Sequence, residues 1–143
     1  FPVVDLAVDL ITGQFHAVDS SDMAFKTAGR QAIQEALTKC EPVLLEPIDA
    51  VDVSVPNAFT ARVQRLVSGR RGQILGYDAK GDWPGWDVVK AQLPRSELHD
   101  LIVELRSLTL GVGSFGHRFD HLAELTGRPA EKVIQSRAQE AAQ

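Results

Sequence analysis

From Val43 to His121 the apolar residues switch repeatedly between a period of two and a period of three to four, and that alternation most constrains the fold. Val43 to Val55 alternates as a strand interrupted by Pro47, and Pro56-Asn57 ends it. Phe59, Val63, Leu66 and Val67 then mark a short helix, terminated by Ser68-Gly69-Arg70-Arg71-Gly72. A second strand runs from Gln73 to Tyr77, and the Gly- and Pro-containing stretch Asp78 to Asp87 reads as a hairpin loop into a third, near Val88 to Leu93. Pro94 and Ser96 open a helix bearing Leu98, Leu101, Ile102, Leu105 and Leu108 on one face, and Gly111 and Gly113 break it. Phe115, His117 and Phe119 alternate through a fourth strand. The order βαββαβ is the split βαβ, ferredoxin-like arrangement of the α+β class, with two helices on one face of a four-stranded antiparallel sheet.

The flanks add a partial βα unit before this domain and a helix after it. Val4, Leu6, Val8 and Leu10 alternate as a strand, Thr12-Gly13 turns it, and from Asp22 to about Cys40 the set Phe25, Ala28, Ala32, Ile33, Ala36, Leu37 and Cys40 spaces as an amphipathic helix. Cys40 on that stripe reads as a small core residue. Beyond Gly127, with Pro129 in its first turn, Glu131 to Gln139 forms a last helix. The chain opens at Phe1 in mid-strand, as a piece of a longer protein would. Its 143 residues, 44% of them hydrophobic, suit one ordinary domain or a small domain plus a fragment. One cysteine leaves no internal disulfide, and the absence of a secretory signal or long apolar run points to the cytoplasm, with no membrane partner. A net charge of −4 argues against a generally nucleic-acid-coating surface, DNA included, while leaving local basic patches open.

Two groups of polar residues stand out. The loop Phe15 to Phe25 crowds His16, Asp19, Ser20 and Ser21 ahead of a helix. Ser20 or Ser21 suits an N-cap, with Asp22 at the positive end of the dipole, which leaves His16 and Asp19 displayed at a turn apex. Catalysis there would need a base, an orienter and an oxyanion hole converging from other elements, and none offers itself. The second group is Arg62 and Arg65 on the first helix of the ferredoxin-like unit with Arg70 and Arg71 in its terminating turn. It reads either as a solvated helix face complementing the dipole or as a phosphate-contacting surface, which the flanking Gly69 and Gly72 would let a backbone approach. No GxxxxGK[ST] loop is present, and the third strand lacks the aromatics of an RNA-recognition motif. Trp83 and Trp86 read as loop anchors. His117 and His121, about 13 Å apart along a strand, cannot share a metal and read as structural.

A resemblance then joins these segments. Phe1-Pro2-Val3-Val4-Asp5, His16-Ala17-Val18-Asp19-Ser20-Ser21, Met23-Ala24-Phe25-Lys26, Pro42-Val43-Leu44-Leu45-Glu46-Pro47-Ile48, Arg70-Arg71-Gly72-Gln73-Ile74-Leu75-Gly76 and Leu105-Arg106-Ser107 together resemble the carboxyl-terminal end of bacterial elongation factor G. The likeness runs in order from Phe1 to His121. It implies that residues 1–40 are the end of a domain IV, 41–121 a ferredoxin-like domain V, and 122–143 a helix returning to domain IV. It further implies a ribosomal translocase acting on tRNA and mRNA, or in ribosome recycling, as a monomer. The loop with His16, Asp19, Ser20 and Ser21 would be a tip near the tRNA–mRNA decoding region, and the arginine cluster would meet large-subunit RNA. GTP, Mg²⁺ and the hydrolytic residues would belong to amino-terminal domains outside this chain, which itself would hold no cofactor and perform no catalysis.

The sequence also departs from the family pattern. His99-Asp100-Leu101 stands where Phe-Gly-Tyr is usual, Leu110-Gly111-Val112-Gly113 where Gln-Gly-Arg-Gly is usual, and the Asp82 to Trp86 hairpin is longer. These differences point to an elongation factor G-like paralogue. The competing readings are a ligand-binding regulatory module on a ferredoxin-like scaffold and, ranked below it, a small hydrolase using His16, Asp19 and Ser20.

Overall fold

The computed structural model describes residues 1–141 and divides into two compact units, Phe1–Pro42 and the chain from Val43 onward. In the first unit, helix α1 (Asp22–Lys39) starts where expected, because Ser21 is extended (φ −148°, ψ 165°) and its side chain accepts the Ala24 N–H. None of its residues is buried. Two expectations fail here. Residues 3–10 form no strand: no ladder partner exists for them among the described residues, Asp5 takes φ +54°, and Val4, Leu6 and Val8 stay exposed. Alternation supplies a strand's faces, but only a neighbour supplies its hydrogen bonds. Cys40 is exposed at the C-cap rather than buried, its N–H bonded to the Ala36 carbonyl.

The second unit follows the βαββαβ order: β1 (Leu45–Pro56), α2 (Thr60–Gly69), β2 (Gln73–Ala79), β3 (Trp86–Pro94), α3 (Leu101–Leu108) and β4 (Ser114–Glu124). Single 3₁₀ turns, Asn57–Phe59 and Arg95–Leu98, precede the two helices. The sheet is antiparallel in the order β2-β3-β1-β4. β1 is central, and Val51, Val53 and Val55 point from it into a core completed by Val89, Ala91 and Leu93 of β3, Val63 and Val67 of α2, and Leu101 and Leu105 of α3. Pro47 does not interrupt β1. It pairs only with Leu122 of β4, below the point where β3 joins at Ile48, so its missing N–H breaks no ladder on the other side. The hairpin tip is shorter than the sequence suggested, because β3 already begins at Trp86. A last helix, α4 (Gly127–Ala141), closes the described chain; residues 142 and 143 of the segment 122–143 lie outside the described residues.

Helices α2 and α3 end alike. In each, the N–H two residues past the C-terminal turn reaches back to a helix carbonyl: Gly72 N to Val67 O at 3.0 Å, and Gly111 N to Arg106 O at 2.7 Å. In each the intervening residue is left-handed without being glycine, Arg71 at φ +58° and Leu110 at φ +56°. This is a Schellman closure with a side chain in the place that favours glycine.

Candidate functional site

The loop before α1 is built by its own polar groups. Ser20 N donates to the His16 carbonyl at 2.9 Å, and His16 N donates to Ser20 Oγ at 2.8 Å, closing the turn at both ends. Ser21 caps α1 at 3.1 Å from Ala24 N. Each serine thus accepts a backbone N–H, and these hydrogen bonds set the shape of the loop. His16 and Asp19 remain exposed on the closed turn. The structure brings His16 and Ser20 together and leaves Asp19 projecting.

The four arginines separate into two kinds. Arg70 donates from Nη1 to the Glu97 carbonyl at 2.6 Å and pairs with Glu104 at 2.8 Å. Arg71 holds Glu46 with both terminal nitrogens, at 3.2 and 2.7 Å, and Glu97 with Nε at 3.3 Å. The Glu46 carboxylate bonded to Arg71 raises the pKa of that guanidinium above its ordinary value, the Glu97 carboxylate adding to the effect and burial opposing it. Together they tie the end of α2 to β1, to the turn before α3 and to α3 itself. Arg62 and Arg65, one helical turn apart, are exposed instead: Arg62 lies 5.8 Å over the Phe59 ring, and Arg65 makes no ion pair among the described residues.

These residues border two open clefts along the α2–α3 face. One, of about 500 Å³, is lined by Arg65, Leu66, Gly69, His99 and Asp100 among others. The other, of about 430 Å³, is lined by Arg62, Leu66, Glu104, Ser107, Leu108 and Leu110. Gly69 opens its backbone to this surface, since an added Cβ would meet nothing within 4 Å. Gly72 does not share that role, contrary to expectation. A Cβ there would lie 2.6 Å from Val67 Cγ1 and 2.7 Å from the Val67 carbonyl, so this glycine serves packing within the domain.

Sequence reasoning missed a third polar group. Asp49 is fully buried on β1, and Arg95 holds it from Nε and Nη2, the shortest contact 2.7 Å, while His117 Nδ1 lies 2.8 Å from its other oxygen. The Arg95 hydrogen bond keeps this carboxyl below the usual carboxylate range, burial opposes it, and His117 adds to Arg95. The signal was available: Asp49 shares the core-facing parity of Val51, Val53 and Val55, where an unpaired carboxylate could not stand. His121 bonds Asp120 instead, at 2.6 Å, and the bulge between the Asp49 and Ile48 pairings breaks the even period between the two histidines. Trp83 and Trp86 meet edge to face at 4.9 Å, with the Lys80 ammonium 3.8 Å above Trp83.

Residues 43–133 match the family described as elongation factor G C-terminus, and residues 1–41 match elongation factor G, domain IV. The chain is 58% identical over 133 residues to an elongation factor G-like protein of Synechocystis sp., covering 93% of this chain and 20% of that one. It is 44% identical over 137 residues to elongation factor G of Aquifex pyrophilus, covering 96% of this chain and 19% of that protein. A crystal structure from Thermus thermophilus superposes with a TM-score of 0.78 at 37% identity, over 90% of this chain and 19% of that one. The chain therefore spans about a fifth of the length of the curated relatives it matches.

Proposed function

The chain belongs to the elongation factor G family, and we propose that it is the ribosome-binding carboxyl-terminal region of a translational GTPase that promotes tRNA and mRNA movement or ribosome recycling. Its higher identity to an elongation factor G-like protein than to elongation factor G supports a paralogue of the principal translocase. The parent protein, on this reading, is a cytoplasmic monomer that binds GTP and Mg²⁺ in domains outside this region. Residues 1–40 act as the end of domain IV, residues 41–121 as domain V, and residues 122–143 as a carboxyl-terminal extension carrying α4.

One observation carries the proposal: the domain places two exposed cations, Arg62 and Arg65, on an open face while Arg70 and Arg71 hold that face in shape. A polyanion binds such a surface through guanidinium–phosphate contacts, and those contacts position it without reading sequence. In the first unit, the loop closed by Ser20 and capped by Ser21 displays His16 and Asp19 as hydrogen-bonding groups for RNA near the decoding region. No bond is broken by either surface; the region works by occupancy and contact.

Co-sedimentation of the full-length protein with ribosomes, in the presence of a non-hydrolysable GTP analogue, tests this. Arg62→Ala/Arg65→Ala is expected to weaken binding roughly tenfold, as loss of charge-assisted hydrogen bonds does. His16→Ala is expected to slow translocation with smaller effect on binding. A full-length protein that does not bind ribosomes, or an upstream sequence without a GxxxxGK[ST] motif, would overturn the proposal.

A further inference from the structure

Two arginines of this domain hold carboxylates, and they use their guanidinium groups differently. Arg71 takes two acids at once: Glu46 sits on the edge formed by Nη1 and Nη2, at 3.2 and 2.7 Å, and Glu97 on Nε at 3.3 Å. Arg95 takes one. Asp49 accepts from its Nε at 3.1 and 3.2 Å and from its Nη2 at 2.7 Å, so a single carboxylate covers the Nε–Nη2 edge. A guanidinium is a planar fork of five N–H donors, and the Nη1–Nη2 edge remains. At Arg95 that second edge has no acceptor among the described residues, and the side chain is half exposed.

The open edge is fixed in place. Asp49 is fully buried on β1, and His117 Nδ1 lies 2.8 Å from its Oδ2, so the acid is held from β4 as well as from the turn before α3. The Arg95 guanidinium carbon stands 5.8 Å from the centroid of the Phe119 ring. Phe119 is the β4 residue paired with Asp49, and it shares the strand face of Phe115, which packs against the core. Unlike Phe115 it is 55% exposed, because β4 is an edge strand. A half-free guanidinium and an uncovered phenyl ring thus stand side by side on a rigid support.

Charge selects among partners. Asp49 cancels the single positive charge of Arg95. Arg118, the next cation along β4, faces the opposite side of the sheet, where it pairs with Asp52 at 3.8 Å. A polyanion binds where several unpaired cations release its counterions, and this site has no such excess. A lone carboxylate needs one bidentate edge, and an apolar group beside it needs one exposed ring. We propose that Arg95 and Phe119 form a docking site for an acidic protein segment: one Asp or Glu carboxylate of the partner takes the Nη1–Nη2 edge, and an apolar side chain of the same segment packs on Phe119. Arg71, with an acid on each edge, shows the filled form of the same arrangement within this domain. The inference does not depend on the ribosome-binding reading.

The test uses the full-length protein and a fluorescein-labelled peptide of alternating leucine and glutamate, followed by fluorescence anisotropy. Matched probes carry glutamine for glutamate, or are single-stranded oligouridylate of similar length. The glutamate peptide is expected to bind and the glutamine peptide to bind at least about tenfold more weakly, as loss of a charge-assisted bidentate contact requires. Arg95→Lys keeps a cation on Asp49 but has no second planar edge, and is expected to weaken the glutamate peptide about tenfold. Phe119→Ala, at an exposed position, is expected to weaken it about threefold with the melting transition unchanged. Equal binding of the glutamate and glutamine peptides, or no binding of the glutamate peptide, would overturn the inference. So would wild-type peptide affinity in a folded Arg95→Lys; if that variant does not fold, wild-type affinity in Phe119→Ala overturns it alone. Tighter binding of oligouridylate that is lost in the same variants would place a nucleic acid at the site and overturn it as well.

Discussion

The ends of α2 and α3 are the same backbone device put to different uses. Both close with a Schellman hydrogen bond, and both place a non-glycine residue in the left-handed region. At the end of α2 the side chain turns inward to carboxylates on β1 and on the turn before α3, and the next residue, Gly72, is wedged against Val67. At the end of α3 the side chain turns outward, and the next residue, Gly111, has nothing within 4 Å of where a Cβ would be. Local geometry alone does not tell a fold-holding residue from an exposed one. What the side chain touches does.

The largest effect that would break this comparison lies at Asp49, the buried carboxylate of β1 that Arg95 holds from the turn before α3. Arg95→Ala strips Asp49 of its main partner and is expected to lower the thermal midpoint more than a steric clash at the end of α2 does. In the wild type, the depressed Asp49 pKa gives stability that is present above the ordinary value of 3.8 and lost as pH falls through the lower folded-state value. Arg95→Ala should flatten that acid dependence, because burial then opposes His117 alone. Midpoints measured across pH 2 to 6, a range of roughly four units around the carboxylate pKa, check both statements.

Next comes Gly72→Ala, whose added methyl must displace the Val67 carbonyl or Leu93; a loss of about 3 kcal/mol is expected by denaturant titration. Gly111→Ala, in open space but at φ +89°, should cost only the backbone strain, about 1 kcal/mol. Thr109→Val removes the hydroxyl that satisfies Gly113 N and should cost about 2 kcal/mol. The smallest effect is the sharpest. Arg71→Gly relieves the same backbone strain as Leu110→Gly but loses its carboxylate pairs, so it should destabilise by about 1 kcal/mol where Leu110→Gly stabilises. Equal signs for the two variants would remove the distinction between the helix ends.

The order of elements in the second unit was legible because each one carries its own hydrophobic period, a local property. Val51, Val53 and Val55 announce a strand with a core face wherever they sit. Pairing is not local. The period of Val4 to Leu10 is as regular, yet no strand forms, since nothing among the described residues supplies its hydrogen bonds. Asp49 joins Arg95 and His117 from 46 and 68 residues away, and no window of sequence contains that cluster. The arginine cluster was visible as composition and spacing on a helix. Which of its members hold carboxylates was not, because Glu46, Glu97 and Glu104 reach them only through the sheet order and the packing of α3 on α2. Ser21 was legible as a cap for the opposite reason: its partner, the Ala24 N–H, lies three residues away.

The salt dependence of ribosome binding by the full-length protein tests most directly whether the α2–α3 face is a phosphate-contacting surface held in shape from behind. Each lost phosphate contact lowers the magnitude of the slope of log affinity against log salt by about one. Arg62→Ala and Arg65→Ala are each expected to reduce the slope by about that amount and to leave the thermal midpoint unchanged. Slopes unchanged in both variants would contradict the account.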